Sequence, residues 1–281
     1  MAVLFGGNGP TNFIGSGTED TIFGAGGNDT LNGRGGNDHI YGDSGNDSLI
    51  SGAGLDFMYG GEGNDTLDAT GEGDDNLFGG FGDDVYVVSR ISNKVVEGPN
   101  QGIDTIRSSS SQTLDANVEN LVLTKAFDLT GTGNNLNNQI TGNSGNNILI
   151  GRGGNDTLTG GVGNDRFVFD RALPDAGVDT INDFVVGSEQ ILIDKSVFSA
   201  LETSSGGALL ATDFRLINVN NVAEPVIAAT SSEEIIYNRV TGNLFYNTNG
   251  AAAGFGAGGG QFATIVGSPD NLSTGDFFIV P

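Results

Sequence analysis

Residues 24–50 read GAGGNDTLN, GRGGNDHIY, GDSGNDSLI, three nine-residue units that set a frame for much of the chain. The frame runs back to GSGTEDTIF from Gly15 and forward through SGAGLDFMY and GGEGNDTLD. After one extra residue, Ala69, it resumes as TGEGDDNLF and GGFGDDVYV, ending at Val87. GGNGPTNFI (6–14) is a degraded unit in front, with Thr11 where Asp belongs. A second block comprises GNNLNNQIT from Gly133, GNSGNNILI, GRGGNDTLT and GGVGNDRFV, ending at Val168. In the good units Asp stands sixth and an apolar residue eighth: Ile22, Leu31, Ile40, Leu49, Met58, Leu67, Leu77 and Tyr86 in the first block. Six residues rich in Gly and Asn make a turn, because Gly accepts positive φ and Asn tolerates it. The remaining three make a short strand whose middle side chain points opposite to its neighbours. So short a strand cannot bury its apolar face alone, so the units must stack.

The surrounding composition narrows the function. The 281 residues include 48 Gly, no Cys, no Trp and one His, with 35 acidic against 11 basic residues and a net charge of −24. Phosphates would be repelled, which excludes a general nucleic-acid surface. No run approaches the roughly 18 apolar residues of a membrane helix. Without cysteine there are neither disulfides nor thiolate ligands. Residues 15–87 carry 15 of the acidic residues and a single arginine, Arg34. That charge calls for a cation.

The units resemble the G-G-x-G-x-D-x-U-x nonapeptide repeat of the hemolysin-type calcium-binding, or repeats-in-toxin (RTX), family. The resemblance implies an all-β fold: a right-handed parallel β-roll solenoid in which two units form an 18-residue coil. The first block would then contain four coils, about 19 Å of stack at the usual strand spacing. Sixth-position aspartates fall in two columns, Asp20, Asp38, Asp56, Asp75 and Asp29, Asp47, Asp65, Asp84. Carboxylates about 5 Å apart repel by about 3 kcal/mol at an effective dielectric of 20. Ca²⁺ suits the gap better than Mg²⁺, since it accepts six to eight oxygens, backbone carbonyls included. Turn chemistry alone also favours Asp at such positions.

The family scheme implies the ligands. One turn gives carbonyls from its second and fourth residues and the sixth-position carboxylate. The turn one coil later gives its first and third carbonyls and a fifth-position side-chain oxygen. One site thus unites Ala25, Gly27 and Asp29 with Gly42, Ser44 and Asn46. Gly36, Gly45 and Gly63 are the equivalent fourth residues. The other pairings are Asp20 with Asn37, Asp47 with Asn64, Asp56 with Asp74, and Asp65 with Asp83. Asp38 meets Leu55 and should form a weaker site. In the second block Asn138 and Asn147 replace Asp, leaving Asp156 and Asp165 as the carboxylates, so fewer or weaker ions are expected there.

These signals divide the chain into a first repeat block (1–88), a connecting β insert (89–132), a second block (133–168) and a C-terminal region (169–281). The insert resembles the longer-coil insert between repeat blocks of this family and reads as strands at 85–88, 94–97, 104–108 and 119–124; Glu97 and Asp104 are read either as an added calcium site or, by preference, as solvated loop carboxylates. In the last region, DTINDF, IIYNRVTGNLFYNTNG, QFATIVG and LSTGDFFIV resemble the RTX C-terminal domain, with strands at 179–186, 190–194, 234–237, 243–246 and 261–266. That resemblance implies a cap on the roll and an uncleaved type I secretion signal, matched by Asp276 to Val280 although Pro281 follows. The N-terminus has no basic n-region and only a short apolar run, Ala2 to Phe5, so no secretory leader is read there.

No enzyme is visible. Gly42-Asp-Ser-Gly45 mimics a serine-protease motif but lies in repeat register, and the one His, His39, cannot supply the two ligands of H-E-x-x-H. Gly254-Phe-Gly-Ala-Gly-Gly259 matches G-x-G-x-x-G without a βα unit. The Asn-Asp-Thr sequons at Asn28, Asn64 and Asn155 are by-products of the repeat. Ninth positions on alternate units, Phe23, Tyr41, Tyr59 and Phe78, should form an outward aromatic ladder on one sheet. It reads either as cross-strand stacking covered by another segment or as a stripe for a glycan or cell-surface partner. The whole reads as a secreted calcium-binding β-roll without catalysis of its own. Its partners would be calcium ions and type I secretion machinery, with no membrane span. The alternatives are an adhesin or carbohydrate-binding module and an accessory domain of a secreted hydrolase.

Overall fold

The computed structural model describes residues 2–203, 205–219, 224–250 and 252–281. The chain forms two compact units, Met1–Thr124 and Lys125–Pro281. In the first, the chain alternates between two parallel sheets. One sheet contains Val3–Phe5, Thr21–Phe23, His39–Ser44, Phe57–Glu62, Asn76–Phe81 and Lys94–Val96 in that order. The other contains Asn12–Ile14, Thr30–Asn32, Ser48–Ile50, Thr66–Ala69, Val85–Val88, Thr105–Ser108 and Asn120–Leu123. Each strand pairs in register with the equivalent strand one coil on, so the eighth positions stack: Ile22, Ile40, Met58, Leu77 and Val95 on one sheet. Leu31, Leu49, Leu67, Tyr86, Ile106 and Leu121 stack on the other. Both rows are buried and together make the interior. The seventh and ninth residues face outward, as the strand alternation requires.

One feature exceeds the sequence expectation. Strands of the first sheet run to six residues at 39–44, 57–62 and 76–81, where three were expected. The ladder continues into the turn because Ser44 N–H donates to the Ala25 carbonyl (3.1 Å), and Asp43 pairs with Gly61. The insert also continues the coils, with Lys94–Val96 and Thr105–Ser108 adding directly to the strands of the preceding repeats.

In the second unit, Thr130–Thr132, Ile148–Ile150, Arg166–Phe169 and Gln190–Asp194 stack in parallel, and Phe277–Val280 adds as the last strand. The opposite sheet runs Gln139–Thr141, Thr157–Thr159, Asp179–Ile181 and then Gly260–Ile265, also parallel. Its outer edge is covered by antiparallel Asn243–Tyr246, beyond which lie Ile235–Asn238 and Phe214–Ile217. Chain from far along the sequence thus closes both sheets of this stack. Ile217, Ala228, Ile236 and Phe245 form a separate small core under the antiparallel strands. The buried Asp276 carboxylate holds the last strand's start, accepting N–H bonds from Gly187 and Ser273 at 2.8 Å each.

The turns depend on left-handed residues at their second and fourth positions, such as Ala25 (φ 74°) with Gly27 (φ 98°) and Asp43 (φ 70°) with Gly45 (φ 132°). A Cβ on Gly45 would collide with the Gly27 carbonyl one coil away, whereas one on Gly7 would meet nothing. Gly45→Ala should therefore lower the unfolding free energy of the calcium-loaded protein, by about 1–2 kcal/mol from the positive-φ backbone alone. Gly7→Ala should leave it within error; equal effects would contradict this account of the turn.

Candidate metal centres

Each turn ends on its aspartate, which leads directly into a strand and is therefore drawn under the sheet edge. Asp20, Asp29, Asp38, Asp47, Asp56, Asp65, Asp75 and Asp84 are all at most 3% exposed. Their two oxygens have different fates. Oδ1 accepts the backbone N–H of the residue one coil earlier: Asp20 to Asp38, Asp38 to Asp56, Asp29 to Asp47, Asp47 to Asp65 and Asp65 to Asp84, each at 2.7 Å. The Asp56 N–H reaches Asp75 at 2.9 Å. Oδ2 of Asp29, Asp38, Asp47, Asp56, Asp65 and Asp84 is buried without a hydrogen-bond partner.

Those oxygens look into a cradle lined by backbone. A Cβ on Gly24 would strike Asp29 Oδ2 and lie 2.8 Å from the Gly42 carbonyl oxygen. Gly42 and Gly60 bear the same relation to Asp47 with the Gly60 carbonyl (2.6 Å) and to Asp65 with the Gly79 carbonyl (2.6 Å). A carboxylate oxygen facing a carbonyl oxygen cannot be satisfied by hydrogen bonding, because neither donates. A hard cation that accepts carboxylate and carbonyl oxygens fits both. The residues present therefore fit calcium.

Without a counter-charge, burial pushes the Asp56, Asp65 and Asp84 carboxyls up to about 7, and neighbouring carboxylates in the columns add to it. Asp38 is pushed to about 6 by burial, with repulsion from Asp20 and Glu19 added. Asp20, at the column's end, is the exception. Against burial, its Oδ2 accepts the Ser16 N–H (2.6 Å) and hydroxyl (2.8 Å) and its Oδ1 the Ala2 N–H (2.5 Å), and with the nearby N-terminal charge these lower its pKa.

The fifth positions make a second, exposed ladder. Oδ1 of Asn37, Asn46, Asn64 and Asp83 accepts the N–H of Leu55, Asn64, Asp83 and Ile103 respectively, at 2.8–3.0 Å. Asp74 Oδ1 accepts the Ser92 hydroxyl. Leu55 offers its turn only a backbone N–H, yet Asp38 Oδ2 remains as unpartnered as the others.

The second block behaves as two populations. Asp156 and Asp165 keep unpartnered Oδ2 atoms, with Oδ1 accepting from Asn138 and Asn147 at 2.7 Å. The amides close on themselves. Asn147 Oδ1 accepts the Asn143 N–H (2.7 Å) while its Nδ2 donates to the Phe127 and Leu129 carbonyls (3.4 Å each). An amide donor facing carbonyls satisfies what a carboxylate cannot.

The structure corrects one reading and adds to another. Glu97 and Asp104 are not solvated: they are 8% and 1% exposed, and Asp104 extends the second column by accepting the Asp84 N–H at 2.9 Å. Asp179 extends the other block likewise, accepting the Asp156 N–H at 3.0 Å; burial and the Asp156 charge push it up to about 8. A signal was present: Gly102-Ile-Asp-Thr105 and Gly177-Val-Asp-Thr180 preserve the fourth, sixth and seventh positions of the frame. The decoys are absorbed by the fold, with Ser44 Oγ donating to the Ala25 carbonyl (3.2 Å) and His39 stacked on Phe57 (5.0 Å).

The family model of the RTX calcium-binding nonapeptide repeat (4 copies) matches residues 5–40, 14–49, 32–67, 50–86 and 132–167. No curated protein matches the chain. Residues 5–86 and 132–167 are therefore RTX calcium-binding repeats.

Because the folded-state carboxyls lie above the ordinary value near 3.9, the folded state holds more protons than the unfolded one between about pH 4 and 7. In chelator, stability contributed by these groups is present near pH 4 and falls as pH rises toward 7. The β signal in far-UV circular dichroism in chelator should thus be larger at about pH 5 than at about pH 7.5. In excess calcium the order should reverse, because protons compete with the ion. The same order in both conditions would contradict this assignment.

Proposed function

We propose that the chain is a secreted calcium-binding β-roll protein that folds on binding Ca²⁺ outside the cell and has no catalysis of its own. The observation that carries the reading is the row of buried, unpartnered Asp Oδ2 atoms facing carbonyl oxygens. Each repeat site draws on the ligands of the family scheme: Asp29 with the Ala25, Gly27, Gly42 and Ser44 carbonyls and Asn46, and its counterparts along the columns through Gly36, Gly45 and Gly63. Where cytosolic calcium is scarce, the self-repelling columns keep the chain unfolded and able to thread a type I exporter. Outside, calcium binds the folded state, and its binding energy becomes folding energy. The C-terminal region serves as cap and secretion signal.

The glycan-binding alternative finds less support in the aromatic ladder. Phe5, Phe23, Tyr41, Tyr59 and Phe78 stack at 4.7–5.0 Å with interplanar angles of 3–10°. Ring faces are turned to one another, whereas a sugar ring needs a free face. The stack is a cross-strand packing device.

Far-UV circular dichroism of the chelated protein, titrated with Ca²⁺ and separately with Mg²⁺, tests the reading. A coil-to-β transition is expected with Ca²⁺ alone, near the roughly 0.1–1 mM typical of extracellular modules. A chelated protein already fully β would overturn calcium as the driver of folding.

A further inference from the structure

The first unit contains one carboxylate cluster that the nonapeptide repeat does not build. Asp84 ends the last matched repeat, while Glu97 and Asp104 lie beyond residue 86, where the match stops. One oxygen from each of the three comes within 4.8 Å of the others, and all three residues are buried. By the repeat scheme, the site at Asp84 would need a fifth-position oxygen from the next coil. That position is Ile103, which is 60% exposed and offers no side-chain oxygen. Glu97 arrives instead, from the turn after strand Lys94–Val96.

Several observations point to a ligand here. Glu97 Oε2 and Asp84 Oδ2 are both buried with no hydrogen-bond partner, on residues 8% and 1% exposed. Gly79 borders the same space: a Cβ there would strike the Tyr86 hydroxyl, Asp84 Oδ2 and Glu97 Oε1. Glu97 Oε1 is fixed by the Tyr86 hydroxyl, and Asp104 Oδ1 by the Asp84 N–H. Glu119 lies on the far side, accepting the Asp104 N–H at 2.8 Å and adding negative charge. No cationic side chain answers it: among the described residues the one ion pair is Arg215 with Glu233, in the other unit.

We propose that Asp84, Glu97 and Asp104 form a tri-carboxylate cation site that closes the second aspartate column. It selects Ca²⁺ over Mg²⁺ and binds it more tightly than the repeat sites, to which the scheme gives one or two carboxylates. The proposal shares only Asp84 with the repeat sites. Greater ligand charge raises affinity at oxygen sites of this kind, and three anionic ligands at fixed backbone positions suit a large ion with irregular coordination. The same charge makes a trivalent lanthanide a good substitute. Tyr86, hydrogen-bonded to a ligand, is then a built-in antenna.

The test uses the full chain with Tyr41→Phe and Tyr59→Phe, which leaves Tyr86 the one tyrosine of the first unit. Tb³⁺ is titrated in while tyrosine-sensitised emission is recorded, with circular dichroism in parallel. The tightest-binding component should show strong emission that Ca²⁺ displaces and equimolar Mg²⁺ does not. Adding E97Q should weaken that component about tenfold or more while the Ca²⁺-driven fold persists. Adding Y86F should abolish the emission without changing Ca²⁺ stoichiometry. Y86F also guards against an E97Q chain that fails to fold. Wild-type emission and affinity in E97Q would overturn the proposal. Ca²⁺-driven folding without any sensitised emission would overturn it while leaving the repeat sites standing. No response to either ion would overturn both readings.

Discussion

The sixth-position aspartate does two jobs with two oxygens, and the rest of the structure follows from that division. Oδ1 accepts the N–H of the aspartate one coil away, which sets the coils in register and forces the side chain beneath the sheet. Once there, Oδ2 has no donor to meet. An unsatisfied buried polar atom costs on the order of 1–3 kcal/mol, and more when charged. The bond that aligns the coils therefore leaves, along both columns, buried carboxylate oxygens that a cation would satisfy.

The second block shows the same constraint by contrast. Where Asn replaces Asp, at 138 and 147, the amide oxygen turns to its own loop's N–H, at 2.7 Å in both cases. At Asn147 the amide nitrogen also answers the facing carbonyls. Coil stacking survives because the backbone ladder is unchanged, but the demand for an ion falls. This unit also gains buried aromatic packing: Phe169 and Phe198 both meet Phe262, at 5.1 and 5.3 Å. Whether a turn buries an unpartnered carboxylate oxygen therefore varies along the chain with the residue that stands sixth.

Outside the columns, the solenoid imposes order on residues with no ligand role. A parallel, in-register stack places like on like, so the ninth positions become a continuous ring stack and the lone histidine lies against a phenylalanine. Where the nonapeptide frame runs out, the coils continue on irregular sequence, and the carboxylate needed at the column's end comes from outside the frame.

The sequence by itself determined the coil, its period, the buried eighth positions, the two aspartate columns and the amides that replace Asp in the second block. All of these follow from a strict local period: once units repeat, stacking gives each position one neighbour, its own equivalent. The sequence left Glu97 and Asp104 between an added calcium site and loop carboxylates and favoured the latter, since their spacing from Asp84 breaks the nine-residue count. Only the tertiary structure could bring them together, since the insert keeps the strand pairing while abandoning the period. It likewise decided which chain closes the second unit's sheets, because Gly260–Ile265 and Phe277–Val280 pair with strands some 80 residues earlier. Local pattern fixes what repeats; where repetition stops, burial and backbone pairing at a distance decide.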